Sequence, residues 1–282
     1  MDNKPEWEWE IKPNERWFKL NLAELIQYKD LLLRFVRRDI ISAYQQTILG
    51  RIWICLQPLS TTFIYFIIFR KIVKVPTDGI SPILFYMTGS IIWSYFSDCL
   101  LSTMNTFIHN SAIFSKVYFP RLIVPLGNIV FHTFRLSIQL IVFFLIYIFY
   151  TIVYHEGNPS LLILLIPFLI LLTACFALGA GLIISVLTAR YRDLDYILQF
   201  FLRLFMFVTP VVYPMSIVPE KYKFLFWLNP LTSVLETLRA SLFAPHNIPI
   251  NYLLLTILNV FIILFVGLVF FRKREVTIMD VI

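Results

Sequence analysis

Two carboxylates one residue apart, Asp193 and Asp195, are the nearest approach to a catalytic signature in this sequence. A D-x-D of this kind holds the ion in metal-dependent glycosyl transfer. Here the pair follows Arg190 and Arg192 at the start of a helix, where an acidic side chain caps amides and favours the dipole, and capping or ion pairing is the preferred reading. Four histidines, His109, His132, His155 and His246, are scattered, with no Cys-x-x-Cys or His-Glu-x-x-His spacing for a metal. Eight glycines form no G-x-x-x-x-G-K-[ST] phosphate cradle, so any ATP-driven function must borrow its motor from another chain. No nucleophile with a base and an orienting partner assembles from spacing. More telling are His132, Arg135 and Gln139, three and four residues apart on one helical face. An ionisable group inside an apolar run faces a bundle interior or an aqueous path, so Arg135 either lines a pathway or makes a structural contact.

The elements that must position these residues are set by composition. The 282 residues are 59% apolar, include 28 Phe, 14 Tyr and 6 Trp, and are only 15% charged. Continuous apolar stretches such as 138–154 and 161–187 suit helices crossing a ~30 Å hydrocarbon core, whereas barrel strands need alternating segments of about ten residues. Disorder fails because the chain is rich in Phe, Ile and Leu. Cys55, Cys99 and Cys175 each lie in an apolar run, and no disulfide framework is expected. The first ~50 residues are polar rather than a short basic region before an apolar one, so no cleaved signal is expected.

Apolar runs lie near 52–69, 83–103, 122–150, 161–187, 194–213, 222–243 and 252–271. The run at 222–243 contains Glu236 and Arg239 and is broken at Asn229-Pro230, which makes it the weakest crossing. Basic residues near span ends favour the cytoplasm. Nine fall in residues 1–51, and Arg272, Lys273 and Arg274 close the other end. Both termini therefore belong on the cytoplasmic side, which requires an even number of spans and demotes 222–243 to a re-entrant or interfacial hairpin. The expected fold is an all-α polytopic membrane protein with six transmembrane helices. The net charge of +7 is then a topology signal, and no soluble basic module for nucleic acid is present.

Three segments complete the organisation. Residues 22–40 form an amphipathic helix with Leu22, Leu25, Ile26, Tyr28, Leu32, Leu33, Val36 and Ile40 on one face. Arg34, Arg37 and Arg38 fall on the other, which suits a membrane surface. Residues 104–121 are long enough for a short cytoplasmic helix, and 189–195 form a second cytoplasmic turn. Residues 210–249 carry prolines at 210, 214, 219, 230, 245 and 249. Non-helical backbone at membrane depth survives only under protein or beside water, so this segment either caps a pathway or forms an interfacial hairpin. The divisions are residues 1–51, a cytoplasmic segment with the amphipathic helix; 52–271, the transmembrane domain with a re-entrant segment about 210–249; and 272–282, a cytoplasmic tail.

Read together, these segments resemble the permeases of ABC-2 type exporters that move O-antigen, capsule and teichoic acid. The resemblance starts at Leu31 and runs through Arg38-Asp39, Tyr44, Gln46-Thr47, Leu49-Gly50, Trp53 and Pro58. It continues through Lys116-Val117-Tyr118-Phe119-Pro120-Arg121, Arg190-Tyr191-Arg192-Asp193, Thr209-Pro210-Val211-Val212-Tyr213-Pro214, Asn229-Pro230 and Arg239. The tail from Phe271 to Glu275 and from Asp280 to Ile282 fits as well.

The resemblance implies a homodimer in the bacterial inner membrane paired with two cytoplasmic ABC ATPase subunits. ATP and Mg would sit on those subunits and no cofactor on this chain. It implies an interface helix carrying Arg34, Arg37, Arg38 and Asp39. It also implies a coupling loop in which Asn110, Phe114, Lys116, Val117, Tyr118 and Arg121, with Arg190, Arg192 and Asp193, meet the ATPase. Helix-in-groove recognition would use Phe114, Val117 and Tyr118 as apolar anchors. The cargo would be a lipid-linked glycan, O-antigen first, with teichoic acid, capsule or a small lipid or drug as alternatives. A membrane-embedded polyprenyl-sugar enzyme using Asp193 and Asp195 is the reading from another class, and an ion channel a third. Tyr86, Trp93, Tyr95, Phe96, Arg135, Phe207 and Tyr213 are the candidates to line the glycan channel, aromatic faces offering contact with hydroxyl groups. Trp7 and Trp9 would be a surface anchor or an ATPase contact.

Overall fold

Proline, polar breaks and close-packed glycines decide where each apolar run starts, stops and packs. The computed structural model describes residues 22–114, 116–117, 119–155, 160–191, 193–243 and 250–279, and its elements are all helical. Trp7 and Trp9 lie outside these residues.

The amino-terminal amphipathic segment is two helices, Leu22–Gln27 (α1) and Lys29–Tyr44 (α2), joined by a turn at Tyr28. Phe35 and Val36 are the buried pair, lying over Gly127, while Ile26 and Leu33 of the apolar face assigned to a membrane surface are 66% and 58% exposed.

Next come Trp53–Tyr65 (α3), continued as a wider π-helical turn over Phe66–Ile72, and Pro82–Met104 (α4), with proline in its first turn, where a missing N–H costs nothing. The short Thr106–Phe114 (α5) follows. Ile123–Tyr154 (α6) ends at His155 in the left-handed region, φ 54°. Ile166–Arg190 (α7) begins after a 3-10 turn at Leu161–Leu165. Then come Leu194–Val208 (α8), Glu220–Leu228 (α9), Pro230–Phe243 (α10) and Ile250–Met279 (α11).

Among the described residues, four stretches are long and apolar enough to cross a membrane: Trp53–Ile72, Ile123–Tyr154, Leu161–Arg190 and Ile250–Glu275. The chain is therefore a multi-pass membrane protein. The two other expected spans behave differently. α4 has 23 residues, enough for a crossing, but carries Thr88, Ser90, Ser94 and Asp98 and is the buried central helix. α8 stops at Val208 after 15 residues, about 22 Å and short of a ~30 Å core, because Thr209-Pro210 breaks it. The run at 222–243 is two helices split at Asn229-Pro230, as its proline requires; Asn229 Oδ1 accepts from the Leu231 amide at 3.1 Å and starts α10.

Around α4 stand α3, α6, α7 and α10, and α2 packs across α6. The most extensive pairing is α7 with α11, and glycine permits it. A Cβ on Gly179 would come 2.6 Å from the Leu264 Cα, and Gly267 faces the Gly179 backbone. Gly181 does the same for α4, where a Cβ would fall 2.7 Å from the Thr103 side chain. Such small-residue contacts are how helices associate where no hydrophobic drive exists.

Gly179→Ala is expected to lower stability by about 1–3 kcal/mol through overpacking against backbone. Gly127→Ala, whose nearest neighbour would be 3.8 Å away, should not. Thermal unfolding in detergent decides it, and equal melting temperatures for the two variants would count against the glycine-set α7–α11 crossing.

Candidate functional site

At the end of the bundle that carries α5, five elements meet in an aromatic cluster. Phe107 stacks on Phe271 of α11 with centroids 5.1 Å apart, and Phe114 and Phe119 continue the cluster to Phe35 of α2. Leu182 and Val186 of α7 complete it. The segment between α4 and α6 is thus folded onto the bundle instead of hanging free.

This placement separates the residues expected to meet an ATPase. Asn110 is buried and donates from Nδ2 to the Thr106 carbonyl at 3.0 Å. Phe114 is 8% exposed, so its ring is a core group and not an apolar anchor for a partner. Arg121 turns inward as well, donating from Nη1 to the Glu275 carbonyl at 2.5 Å and lying 3.7 Å from the Glu275 carboxylate on α11. Lys116, Val117, Arg190 and Asp193 are exposed, Val117 by 59%. The Arg190 guanidinium sits 5.4 Å above the Tyr191 ring. Tyr118 and Arg192 lie outside the described residues. Beside this surface, Arg34, Arg37 and Arg38 are exposed on α2; Arg38 pairs with Asp39 at 2.8 Å and covers the Phe35 ring.

The two carboxylates of the D-x-D do different things. Asp193 precedes α8 and its side chain makes no cap bond. Asp195 accepts from Asn105 Nδ2 at 3.1 Å and from Gln199 Nε2 at 3.0 Å. Asn105, unremarked in the sequence, ends α4.

Within the bundle, α6 presents one polar stripe to α3 and α4. Arg135 donates to Asp98 Oδ2 at 3.1 Å and to Gln57 Oε1 at 3.0 Å, which ties three helices together. Gln139 reaches the Ile54 carbonyl at 3.5 Å and Asn128 the Ser102 carbonyl at 3.0 Å. His132 is buried in the same stripe, its Nδ1 without a partner among the described residues. Asp98 is the residue that sequence reasoning missed. Its signal was present, since a carboxylate inside an apolar run demands a cation.

Of the aromatic channel candidates, Tyr86, Trp93, Tyr95 and Phe96 are buried within the chain's own core and line no open passage in it. Phe96 stacks on Phe176 at 5.1 Å, and the Tyr95 hydroxyl shares a 2.8 Å hydrogen bond with Thr133. Phe207 is 53% exposed, and the Tyr213 hydroxyl donates to its carbonyl at 2.7 Å.

At the opposite end, Arg239 of α10 is buried over the Phe85 ring at 3.7 Å. It donates to the Pro210 carbonyl at 2.8 Å, the Val211 carbonyl at 2.9 Å and Glu236 at 3.1 Å. Gly89 on α4 leaves room for this contact, for a Cβ there would strike the Val211 carbonyl. Asn229 Nδ2 holds Thr209 Oγ1 at 2.9 Å, and the Tyr147 hydroxyl holds the Leu242 carbonyl at 2.7 Å.

Residues 31–243, from α2 through α10, match the profile of the ABC-2 type transporter family. The chain belongs to this family. Relatives include the O-antigen export system permease protein RfbA of Klebsiella pneumoniae, 29% identical over 260 residues, 91% of this chain and 95% of that protein. The RfbA protein of Myxococcus xanthus is 27% identical over 81% of this chain and 85% of its own length. The polysialic acid transport protein KpsM of Escherichia coli is 25% identical over 84% of this chain and 91% of its own. In this ABC-2 chain the matched region takes in the α5 surface, the Arg135 stripe and the Arg239 anchor.

Asp98→Leu leaves the Arg135 guanidinium without its anion and is expected to destabilise the protein by up to about 3–5 kcal/mol. Adding Arg135→Leu should recover most of that, because an apolar pair of similar volume carries no desolvation penalty. Denaturation in detergent distinguishes the outcomes; a double variant no better than the single one would remove the ion pair as the cause.

Proposed function

We propose that this chain is the transmembrane permease subunit of an ATP-driven exporter that moves a lipid-linked polysaccharide, O-antigen first, across the bacterial inner membrane. The observation that carries the reading is membership of the ABC-2 family together with near full-length similarity to O-antigen export permeases. The chain has no phosphate-cradle motif, so the reading assigns hydrolysis, with ATP and Mg, to two separate ABC ATPase subunits.

In this reading α3, α4, α6, α7, α8 with its extension to Tyr213, and α11 are the six spans, both termini are cytoplasmic, and α9 and α10 re-enter from outside. The basic-residue asymmetry supports that orientation. The α5 end is then cytoplasmic, with Lys116 and Val117 presented to the ATPase and Arg190 and Asp193 beside them. Arg34 and Arg37 on α2 meet headgroups at the membrane surface. A second copy completes the transport path against α8, whose Phe200, Phe201, Leu204 and Phe207 are exposed. Those rings are better placed than the buried α4 aromatics to offer a glycan apolar contact with low entropy cost. Capsular polysaccharide is the second cargo reading, favoured by the similarity to KpsM.

Expressed in detergent with its chromosomal neighbours, the tagged chain is expected to bring down a Walker-motif ATPase at equal stoichiometry. Val117→Asp combined with Lys116→Glu should cut that retention roughly tenfold or more while the permease stays monodisperse. A permease that purifies alone would overturn the borrowed motor. Undiminished co-purification of the double variant would instead move the interface away from this loop.

A further inference from the structure

None of the residues of α8 is buried, and polar contacts secure both of its ends. At the inner end Asp195 accepts from Asn105, the residue where α4 stops and α5 starts, and Gln199 one turn on fixes the second carboxylate oxygen. The Asn105 amide can offer a carboxylate only its NH₂ side, and its own Oδ1 is left buried without a partner among the described residues. The amide is therefore oriented by Asp195 and by nothing else that Oδ1 touches. Thr188 of α7 accompanies this joint, donating to the Met104 carbonyl at 3.0 Å. At the outer end the segment just past α8 is captured, the Thr209 hydroxyl by Asn229 and the Pro210 and Val211 carbonyls by Arg239. Between the two ends run 15 residues with no glycine or proline, about 22 Å of helix with no hinge. Its side contacts are few: the Tyr65 hydroxyl on Met206 sulfur at 3.1 Å and the Phe205 ring against Trp93 and Phe96.

We propose that Asp195 is a positioning residue for transport: its bond to Asn105 fastens α8 to the root of α5, so that a displacement of α5 moves α8 as a rigid lever. The far end of that lever is the Thr209–Val211 segment on which α10 is anchored, so motion at the cytoplasmic surface reaches the external segment through one helix. A neutral amide and a carboxylate suit the task. The bond is charge-assisted and directional, and it lies at the amino terminus of α8, where the dipole favours the anion. The inference rests on the reading that an ATPase seats on the α5 surface.

The test uses the permease with its ATPase in a strain deleted for the chromosomal permease. Export is scored by antibody to the strain's own surface glycan, and assembly by co-purification. Asn105→Leu and Asp195→Leu are expected to keep the ATPase at unchanged stoichiometry and to keep ATP hydrolysis, while export falls about tenfold. The reciprocal pair Asn105→Asp with Asp195→Asn rebuilds the same amide–carboxylate bond and should restore most of it. Single variants that export normally, or a reciprocal pair no better than either, would overturn the proposal. Should the single variants fail to fold, Asn105→Cys with Asp195→Cys is joined by a short bifunctional thiol reagent in a chain lacking Cys55, Cys99 and Cys175. Export by the joined form and not by the unjoined form supports the lever, and a block on joining overturns it. Failure of the underlying reading looks different, because then the unmodified chain retains no ATPase at all.

Discussion

Arg239 supplies the N–H groups that the helix break at Pro210 takes away. Where α8 ends, the carbonyls of Pro210 and Val211 have no helical donor, and both residues are buried away from any water that could replace it. A guanidinium is suited to the position because its fixed fork reaches two adjacent carbonyls and Glu236 at once. The requirement propagates outward. For Arg239 to be buried, α10 must be packed on nearly all sides, and it is; for the Val211 carbonyl to come close, α4 must have glycine at position 89. The Phe85 ring one turn earlier supplies the surface on which the cation rests.

The same logic explains why the most polar long helix is in the middle. α4 carries hydroxyls and a carboxylate, and these belong inside the bundle, where partners exist, while the lower-polarity stretches of α3, α6 and α11 form the outside. Thr88, Ser90, Ser97 and Ser102 bond carbonyls a turn back in their own helix, and Asp98 accepts from Arg135. Arg135 in turn spends its second nitrogen on Gln57 of α3, so a single charged pair fixes the relative rotation of three helices. The sequence alone left open whether Arg135 lines a pathway or makes a contact; within the single chain it makes the contact.

Whatever depends on local pattern was legible beforehand. Long apolar runs became helices, Asn229-Pro230 broke the seventh run where proline must, and residues 106–114 formed the short helix that the loop length allowed. The partners across helices were not legible, because periodicity shows which face is polar and never what faces it. Asp98 and Asn105 are instances: each sits in or beside an apolar run, and only the packing reveals Arg135 and Asp195 opposite. Phe114 was misread for a related reason. An aromatic in a juxtamembrane loop suits a partner's groove as well as its own core, and the choice depends on whether Phe107, Phe119 and Phe271 arrive at the same place. In the amino-terminal helix, periodicity places Val36 on the apolar face but not Phe35, and only the packing over Gly127 brings the two together.

The aromatic cluster at the α5 end gives that end a mechanical character the rest of the bundle lacks. Phe107 and Phe114 come from α5, Phe35 from α2, Phe119 from the approach to α6 and Phe271 from α11, so a force on α5 is shared among helices that run to different parts of the molecule. Apolar ring contacts are tight but not directional, and they distribute a push without selecting a recipient. Selection requires polar contacts with fixed geometry, and this end carries them: Arg121 on the Glu275 carbonyl of α11, Thr188 of α7 on the Met104 carbonyl, and Asn105 on Asp195 of α8. α11 is clamped along its length by the Gly179–Gly267 crossing with α7, whereas α8 has no buried residue to resist displacement. A push shared by both therefore moves the helix with less packing to break, and that helix ends at the backbone Arg239 holds.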